Sequence, residues 1–321
     1  MRRAVHLLMT LLPLMIVAGL LYAGFFIKPE PKGRAVAQPV FARGESFYGL
    51  AVAGANAAWV VGSNGKIAVS ANGGRTWELQ PAKSNETLQD VAAWDAMRAV
   101  AVGNHGVVLV TANGGVSWNS VDVPKSRIAN KLMRVKTLAD GSAWATGEGG
   151  SVLHSLDFGK TWVQAGTGGD AAWNDIHAAP GLLCLVGEFG HIKVSQDNGA
   201  TWNDAPAPVK SSLMSVAFRD ARNGVAVGLG GLVLSTHDAG ISWAQEKSAS
   251  SDHLFHVIWD VQRWLAVGAN GAVAIGGADA ASWKASRMSA LDRNWYTAIV
   301  RHADNYYLSG SRVVVAPLTA L

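Results

Sequence analysis

Apolar and polar positions follow two different patterns along the 321-residue chain. Residues 7–27 form one apolar stretch without a charged side chain, whereas short apolar runs and Gly-rich turns alternate after residue 45. At about 1.5 Å per residue, the first stretch makes a helix of roughly 30 Å, which is long enough to cross a bilayer. The alternating remainder predicts short β-strands joined by tight turns.

Residues 1–34 are predicted to be an N-terminal signal anchor and linker. Arg2 and Arg3 precede the apolar stretch, which is longer than the roughly 7–15 apolar residues of a cleaved signal peptide. The alternative is cleavage after the A-x-A pattern at residues 35–37. Because long domains are translocated with little regard to flanking charges, we expect a single-pass inner-membrane protein whose body faces the periplasm or an equivalent extracytoplasmic space.

One pattern recurs through the rest of the chain: V-G-x-x-G-x-ψ-x-x-S-x-D/N-x-G-x-T-W, where ψ is apolar. Its first glycines are 40 to 44 residues apart, at positions 62, 103, 147, 187, 228, 268 and 310. A period near 40 residues with four short strands per copy is typical of a propeller blade. The sequence therefore predicts an all-β fold: a seven-bladed β-propeller of four-stranded blades over residues 35–321, preceded by a transmembrane helix.

The end of each copy is an Asp box, a tight turn between the third and fourth strands. An Asp or Asn side chain accepts backbone N–H groups of the turn, a glycine supplies a positive φ, and a Trp covers the interface between sheets. The expected structural residues are Asn72, Trp77, Asn113, Trp118, Asp157, Trp162, Asp197, Trp202, Asp238 and Trp243. The sixth copy is degraded, because Gly276 replaces its Ser.

The last copy ends before its Trp and offers only three strands. Residues 35–41 have no blade of their own, so we expect them to supply the missing outer strand of blade seven. Such a closure would remove an open sheet edge, which otherwise invites aggregation.

Charge and cysteine content exclude several classes. Residues 1–34 hold five of the 27 basic and one of the 23 acidic residues, so the remainder carries 22 of each. A neutral body has no electrostatic footprint for nucleic acid. The single Cys184 cannot form a disulfide within the chain, and the one close histidine pair, His253 and His256, is not spaced for one face of a strand. No metal and no cofactor is expected.

The repeat, together with the upstream pattern L-x-x-V-x-F, resembles the photosystem II stability/assembly factor-like group of the BNR (Asp-box) repeat propellers. The resemblance covers residues 45–321. It implies a seven-bladed propeller that escorts or stabilises an integral membrane protein or complex outside the cytoplasm, the client being an exporter or a photosystem-like assembly.

The first strand of a propeller blade lines the central channel, so the residue before its apolar V-like position is a candidate site residue. In the seven copies these positions hold Gly49, Asp90, Arg134, Asp175, Ser215, His256 and Thr297. A ligand site in the channel is one interpretation, and a water-filled polar channel is the other.

A second candidate lies on the face opposite the Asp boxes, where the loops between blades carry a modest excess of basic residues. The densest basic run is Lys125, Arg127, Lys131 and Arg134. Arg binds carboxylates in a bidentate manner, so this face is predicted to dock a soluble segment of a membrane protein. A solvated loop surface is the alternative.

The rival class is an extracytoplasmic glycan-binding protein or a sialidase-like glycoside hydrolase, since sialidases share Asp boxes. Tyr48 and Tyr296 fall in first strands of adjoining blades, but no Glu occupies a matching inner-strand position. Asp90 and Asp175 could imitate a two-carboxylate hydrolase. Because the full catalytic set is missing, we favour a scaffold without enzymatic activity.

Overall fold

The computed structural model describes residues 2–26, 39–166 and 169–321. The chain divides into two compact units, Met1–Pro39 and Val40–Leu321. The described residues of the first unit form one helix, α1 (Arg2–Phe26). Its segment Met9–Phe26 has a mean hydropathy of 2.0 and is long and apolar enough to cross a membrane. The helix is therefore compatible with the predicted anchor and equally with a signal sequence.

The second unit consists of seven antiparallel sheets, formed from the described residues. The strands of the first four are β1 (Phe47–Ala53), β2 (Ala57–Gly62), β3 (Ile67–Ser70), β4 (Glu78–Gln80); β5 (Leu88–Ala93), β6 (Ala99–Gly103), β7 (Val108–Thr111), β8 (Asn119–Ser120); β9 (Leu132–Thr137), β10 (Ala143–Gly147), β11 (Val152–Ser155), β12 (Val163–Gln164); and β13 (Trp173–Ala179), β14 (Leu182–Gly187), β15 (Ile192–Ser195), β16 (Asn203–Asp204).

The strands of the last three sheets are β17 (Leu213–Phe218), β18 (Gly224–Gly228), β19 (Val233–Thr236), β20 (Ala244–Gln245); β21 (Leu254–Trp259), β22 (Trp264–Gly268), β23 (Ala272–Gly276), β24 (Trp283–Arg287); and β25 (Tyr296–His302), β26 (Asn305–Gly310), β27 (Val314–Pro317). Short 3-10 turns lie at Ser63–Gly65, Asn104–Gly106, Glu188–Gly190, Leu229–Gly231, Ala269–Gly271 and Leu318–Ala320.

Each sheet is a meander whose strands follow one another in chain order. The first strand of every sheet contacts the first strand of the next, and β1 contacts both β5 and β25. The seven first strands therefore form a closed inner ring. The predicted seven-bladed β-propeller is confirmed, with one N-terminal helix preceding it.

The closure of blade seven stays a prediction. The described part of that sheet has three strands, and residues 35–38 of the segment expected to complete it lie outside the described residues. Residues 39–41 form no strand. Phe41 instead packs edge-on against Phe47, with ring centroids 4.9 Å apart. Blades seven and one are also joined by the Tyr307 hydroxyl, which donates to the Gly73 carbonyl oxygen at 3.1 Å.

The hydrophobic core lies between neighbouring blades. The Asp-box Trp residues contribute to it as predicted: Trp118, Trp162 and Trp243 are buried, and Trp77 and Trp202 are partly buried. Burying about 200 Å² of one such side chain stabilises the fold by at most about 5 kcal/mol. The interfaces between blades therefore depend strongly on these rings.

The Asp boxes have the predicted hydrogen bonds. Asp157 Oδ1 accepts the Thr161 N–H at 2.9 Å, and the Ser155 hydroxyl accepts the Gly159 N–H at 3.0 Å. The corresponding side chain accepts the equivalent N–H in the boxes of Asn72, Asn113, Asp197 and Asp238. Gly159 has a φ of +77°, and an added Cβ would lie 3.2 Å from both Trp94 and Val110, so two constraints require glycine there.

Candidate functional site

The candidate channel residues occupy one register position next to a β-bulge in each first strand. In blade two, Leu88 pairs with Gly103 but Asp90 pairs with Val102, so the residue between them bulges out. The same shift occurs in the other six blades. The positions after the bulge are Gly49, Asp90, Arg134, Asp175, Ser215, His256 and Ala298.

The prediction for blade seven was wrong by one residue. Ala298 pairs with Ser309 and holds the register position, whereas Thr297 is the bulged residue itself. Ala298 and Ile299 are both apolar, so the pattern is ambiguous there, and Ile299 occupies the apolar position. Thr297 lies near the opposite channel mouth, and its hydroxyl donates to the Tyr48 carbonyl oxygen at 2.8 Å.

Asp90 and Asp175 each bind the backbone of the next blade. Asp90 Oδ2 accepts the Val135 N–H at 3.0 Å. Asp175 Oδ2 accepts the Val216 N–H at 3.2 Å and the Ser215 hydroxyl at 2.7 Å. The inner edge of a first strand faces another blade rather than a ladder partner, so its buried N–H groups need acceptors from elsewhere. These carboxylates supply them and so join neighbouring blades.

Ser215 and His256 continue the same arrangement around the ring. The Ser215 hydroxyl oxygen accepts the Val257 N–H at 3.3 Å, and His256 Nδ1 accepts the Ile299 N–H at 3.1 Å. His256 must be unprotonated at Nδ1 to make this bond. In four blades, therefore, the side chain at the register position makes the same contact: it accepts a backbone N–H of the next blade.

Gly49 meets the next blade without a side chain. An added Cβ there would lie 2.5 Å from the Asp90 Cα, so the two backbones approach too closely for any other residue. Blades one and two are therefore joined by direct backbone packing at the position where other blades use an acceptor.

Arg134 departs from the pattern and crosses the channel. Its Nη2 atom donates to the Phe255 carbonyl oxygen at 3.2 Å and to the Thr297 carbonyl oxygen at 3.0 Å. Its Nε lies 3.9 Å from Asp175 Oδ1. Only 8% of Arg134 is exposed. Of its two predicted places, the channel and the basic run, Arg134 occupies the channel, and it ties blade three to blades six and seven.

Two cavities lie along the propeller axis, and Arg134 lines both. The larger, of about 510 Å³, is on the Asp-box side, where Lys136, His177, Trp259 and Arg301 contribute to its wall. The smaller, of about 200 Å³, lies toward the other face and is lined by the bulged residues, including Tyr48, Met214 and Phe255. Lys136 and His177 were missed from the sequence, although they follow Arg134 and Asp175 by two residues and so share their strand face.

The two buried aspartates differ in electrostatics. Burial raises the pKa of Asp90, against the opposing effect of Arg134 and Lys136. Burial also disfavours the charged form of Asp175, but Lys136, whose Nζ is 3.7 Å from Oδ1, and Arg134 together hold its pKa below the usual value. Asp175 is therefore the ionised partner of the axial cations.

The histidines near the axis are neutral. Burial and the nearby charges of Arg134 and Lys136 lower the pKa of His256 well below its ordinary value. Burial, followed by Lys136, lowers the pKa of His177 to about 4. Neither histidine adds positive charge to the larger cavity at neutral pH.

Lys125, Arg127 and Lys131 form what we call the basic rim. They lie on the loop between β8 and β9, with Lys125 and Arg127 exposed and Lys131 partly buried. The end of the loop is held by the Glu148 N–H, which donates to the Lys131 carbonyl oxygen at 2.9 Å, and within the loop the Asn130 side-chain amide donates to the Ser126 carbonyl oxygen at 2.9 Å. Within residues 39–166 and 169–321, none of the three cations forms an ion pair with an acidic side chain.

Two ion pairs lie on the same face. Arg287 Nη2 lies 3.1 Å from Asp252 Oδ2, and Arg312 Nη2 lies 2.8 Å from Asp292 Oδ2. Within the described residues, Lys83, Lys210, Lys247 and Arg293, on other loops of this face, also lack an ion pair, so the basic rim is distinguished by having three such cations on one loop.

The other candidate groups do not come together as a reactive site. Tyr48 stacks on Trp295 with ring centroids 5.7 Å apart, and the Tyr296 hydroxyl donates to Asp292 at 2.9 Å. His253 Nδ1 accepts the Gly230 N–H at 2.8 Å, whereas His256 Nδ1 accepts the Ile299 N–H, so the two histidines do not share a partner. Among the described residues there is no cluster of three metal-binding side chains. Cys184 is buried, and burial raises the pKa of its thiol.

Comparison with known proteins agrees with this architecture. Residues 82–204 match the family model described as photosynthesis system II assembly factor YCF48. The family resemblance expected from the repeat is thereby confirmed over those residues. No curated protein matches the chain in sequence.

Solved structures share the fold at low sequence identity. YCF48 bound to a D1 peptide superposes with a TM-score of 0.69 at 17% identity, covering 84% of this chain and 92% of that one. YCF48 from Cyanidioschyzon merolae gives 0.69 at 14% identity, with 86% and 95% covered. The computationally designed Ika8 protein gives 0.63 at 11% identity, with 85% and 84% covered.

Proposed function

We propose that this chain is a scaffold or assembly factor, without enzymatic activity, that binds a soluble segment of an integral membrane protein through the basic rim. The observation that carries the proposal is that Lys125, Arg127 and Lys131 lie on one loop and that, among the described residues, none of them forms an ion pair. Cations without protein partners attract carboxylates, and an Arg adds bidentate geometry. The complementary partner is an acidic peptide segment.

The match to the assembly-factor family supports a role in protein binding, and the similar YCF48 structure with a bound D1 peptide shows that a propeller of this type can hold a peptide. For this chain the client is a membrane protein complex, either photosystem-like or an exporter. Nucleic acid is a poor partner, because the propeller carries equal numbers of acidic and basic residues.

We further infer that α1 anchors the protein in the inner membrane and that the propeller works on the periplasmic side. The support is the length and composition of Met9–Phe26 and the two arginines that precede it. An anchored propeller would meet its client at the membrane surface, where the effective concentration of membrane proteins is high.

The axial carboxylates support the non-enzymatic proposal. Asp90 and Asp175 both accept backbone N–H groups of the next blade, and they come from blades two and four. Their contacts are those of structural residues, in contrast to a hydrolase pair that flanks an open substrate site.

The test is crosslinking of the tagged full-length chain in intact membranes, followed by mass spectrometry of co-purified membrane proteins. Combined Lys125→Glu, Arg127→Glu and Lys131→Glu substitutions should abolish recovery of the client recovered with the wild type. The matched control reverses Arg75 and Lys160, which are exposed on the Asp-box side. Undiminished recovery with the basic-rim variant would overturn the proposal.

A further inference from the structure

The short turns between the second and third strands contain a conformational outlier. In six blades the middle residue of this turn has a positive φ of 55° to 69°, and these residues are Asn64, His105, Gly149, Phe189, Gly230 and Asn270. Glycine tolerates this left-handed conformation, and Asn and His adopt it more readily than most residues. Phe189, with a φ of 56°, is the exception, because a bulky side chain is strained there.

The turn around Phe189 fixes this conformation. The Glu188 N–H donates to the Ala172 carbonyl oxygen at 3.1 Å, and the His191 N–H donates to the Glu188 carbonyl oxygen at 3.0 Å. Gly190 is buried. The backbone therefore holds Phe189 in the strained region whatever its side chain does.

The Phe189 ring gains little from the propeller itself. It is 66% exposed, and among the described residues its recorded ring contact is with His191, at a centroid distance of 6.3 Å. Phe158 provides a contrast: it also has a positive φ, of 59°, but the Arg98 guanidinium lies 3.9 Å from its ring centroid. Strain at Phe158 is offset by packing, whereas strain at Phe189 has no such compensation within the fold.

Phe189 lies on the same face as the basic rim. The loop that carries the rim touches the turn of blade three through the Lys131–Glu148 backbone bond, and Phe189 is in the corresponding turn of blade four. Ile128, which lies within the rim loop, is 80% exposed. Exposed apolar side chains thus accompany the unpaired cations on adjacent blades.

We propose that Phe189 is the apolar anchor of the docking surface, and that it packs against an apolar side chain of the acidic client segment bound by the basic rim. Aromatic residues, including Phe, are enriched in protein interfaces, and residues with a strained backbone cluster at functional sites. The proposal rests on the proposed function and adds its specificity: the client segment must carry an apolar residue in addition to its carboxylates.

Phe189→Asn separates strain from binding, because Asn64 and Asn270 already occupy this turn position. The variant should unfold at a higher temperature than the wild type. Val261→Asn is the matched control: Val261 has a φ of 74°, is 72% exposed and lies in the turn between β21 and β22, on the Asp-box face. It should also gain thermal stability.

Binding is then measured by fluorescence anisotropy with two labelled 12-residue peptides. Both contain glutamates around a central position, which is Leu in one peptide and Ser in the other. The wild-type chain should bind the Leu peptide at least tenfold more tightly than the Ser peptide. Phe189→Asn should remove this preference while Val261→Asn keeps it.

The outcomes distinguish this inference from the proposed function. If Phe189→Asn keeps the preference for Leu while the basic-rim reversal abolishes binding, the anchor role is wrong and the basic-rim proposal stands. If the wild type binds neither peptide, peptide docking through the rim is itself contradicted, and the anchor role fails with it. An unfolding temperature lowered by Phe189→Asn would contradict the strain argument.

Discussion

The Nη2 atom of Arg134 lies 3.0 Å from the carbonyl oxygen of Thr297, although 163 positions separate the two residues in the chain. This bond joins blade three to blade seven across the axis. Together with the bond to Phe255, it gives the ring a contact that neighbouring blades cannot provide. Arg134 is therefore a structural tie, and several consequences can be measured.

Arg134→Met should reduce the free energy of unfolding by about 2–4 kcal/mol, because it removes two charge-assisted hydrogen bonds and a cation near a buried carboxylate. Urea unfolding followed by Trp fluorescence measures the change, since the chain has 13 Trp residues. Arg134→Lys serves as the control for charge alone. An unfolding midpoint equal to that of the wild type would show that the contacts of Arg134 across the axis do not stabilise the propeller.

The two axial aspartates should respond differently to the same substitution. The pKa of Asp175 is lowered, so its contribution is present above its unfolded pKa of about 3.9 and is lost as pH falls. Asp175→Asn should therefore cost about 2–4 kcal/mol of unfolding free energy at pH 7. The measurement is chemical unfolding at pH 7 and at about pH 3, which is below the unfolded pKa, and the cost should shrink at the lower pH.

The pKa of Asp90 is raised, so the pH dependence of its contribution to stability has the opposite sign. That contribution is largest at low pH and is lost as pH rises through the folded pKa. An amide oxygen at this position can still accept the Val135 N–H. Asp90→Asn should consequently leave stability at pH 7 unchanged or higher. A loss matching that of Asp175→Asn would contradict the electrostatic difference between the two sites.

Stability should decline on mild acidification because of His256. Its folded pKa lies well below its ordinary value, whereas the unfolded chain takes up a proton near pH 6.5. The unfolded state therefore binds the proton first, and the free energy of unfolding falls as pH drops below about 6.5. His256→Asn, whose amide oxygen can accept the Ile299 N–H, should make this decline shallower between pH 7 and pH 5.

The decline of the unfolding free energy with falling pH should not vanish in His256→Asn, because His177, with a pKa of about 4, acts in the same direction. Arg134 and Lys136 oppose protonation of His256, and Asp175 favours it. Equal pH profiles for the wild type and His256→Asn would show that the ring bond of His256 does not depend on its neutral form.

The degraded sixth Asp box offers a stabilising substitution. Ala278 stands where the acid is expected, and Ala280, with a φ of 60°, replaces the box glycine. Ala280→Gly should raise the free energy of unfolding by up to about 1 kcal/mol, because it relieves a left-handed alanine. The reverse change, Gly159→Ala, should cost about 1–3 kcal/mol, since its Cβ would crowd Trp94 and Val110. Thermal unfolding of both variants tests whether Ala280→Gly stabilises the protein and Gly159→Ala destabilises it.

The repeat predicted the fold well, because each copy carries its own turn chemistry. The glycines and Asp-box side chains fix the turns locally, and the period then determines the blade count. Residues 35–41 were less informative, since a short segment without turn residues has no periodic partner in the sequence. Their place in the last blade stays a prediction.

The candidate sites were harder to predict because they depend on contacts between blades. The register position was visible from the repeat, but not that Asp90 and Ser215 accept backbone N–H groups of the following blade. Arg134 was predicted both in the channel and in the basic run of its sequence neighbours, and strand alternation sends it to the axis. Phe189 gave no signal in composition, because its strain is apparent only from the backbone conformation.

The proposed function depends on binding of the client by the basic rim. The most direct measurement is recovery of the crosslinked client from intact membranes by the combined Lys125→Glu, Arg127→Glu and Lys131→Glu variant, compared with the Arg75 and Lys160 reversal. The account predicts loss of the client in the first variant and retention in the second, with both propellers folded. Equal recovery by the two variants would contradict it.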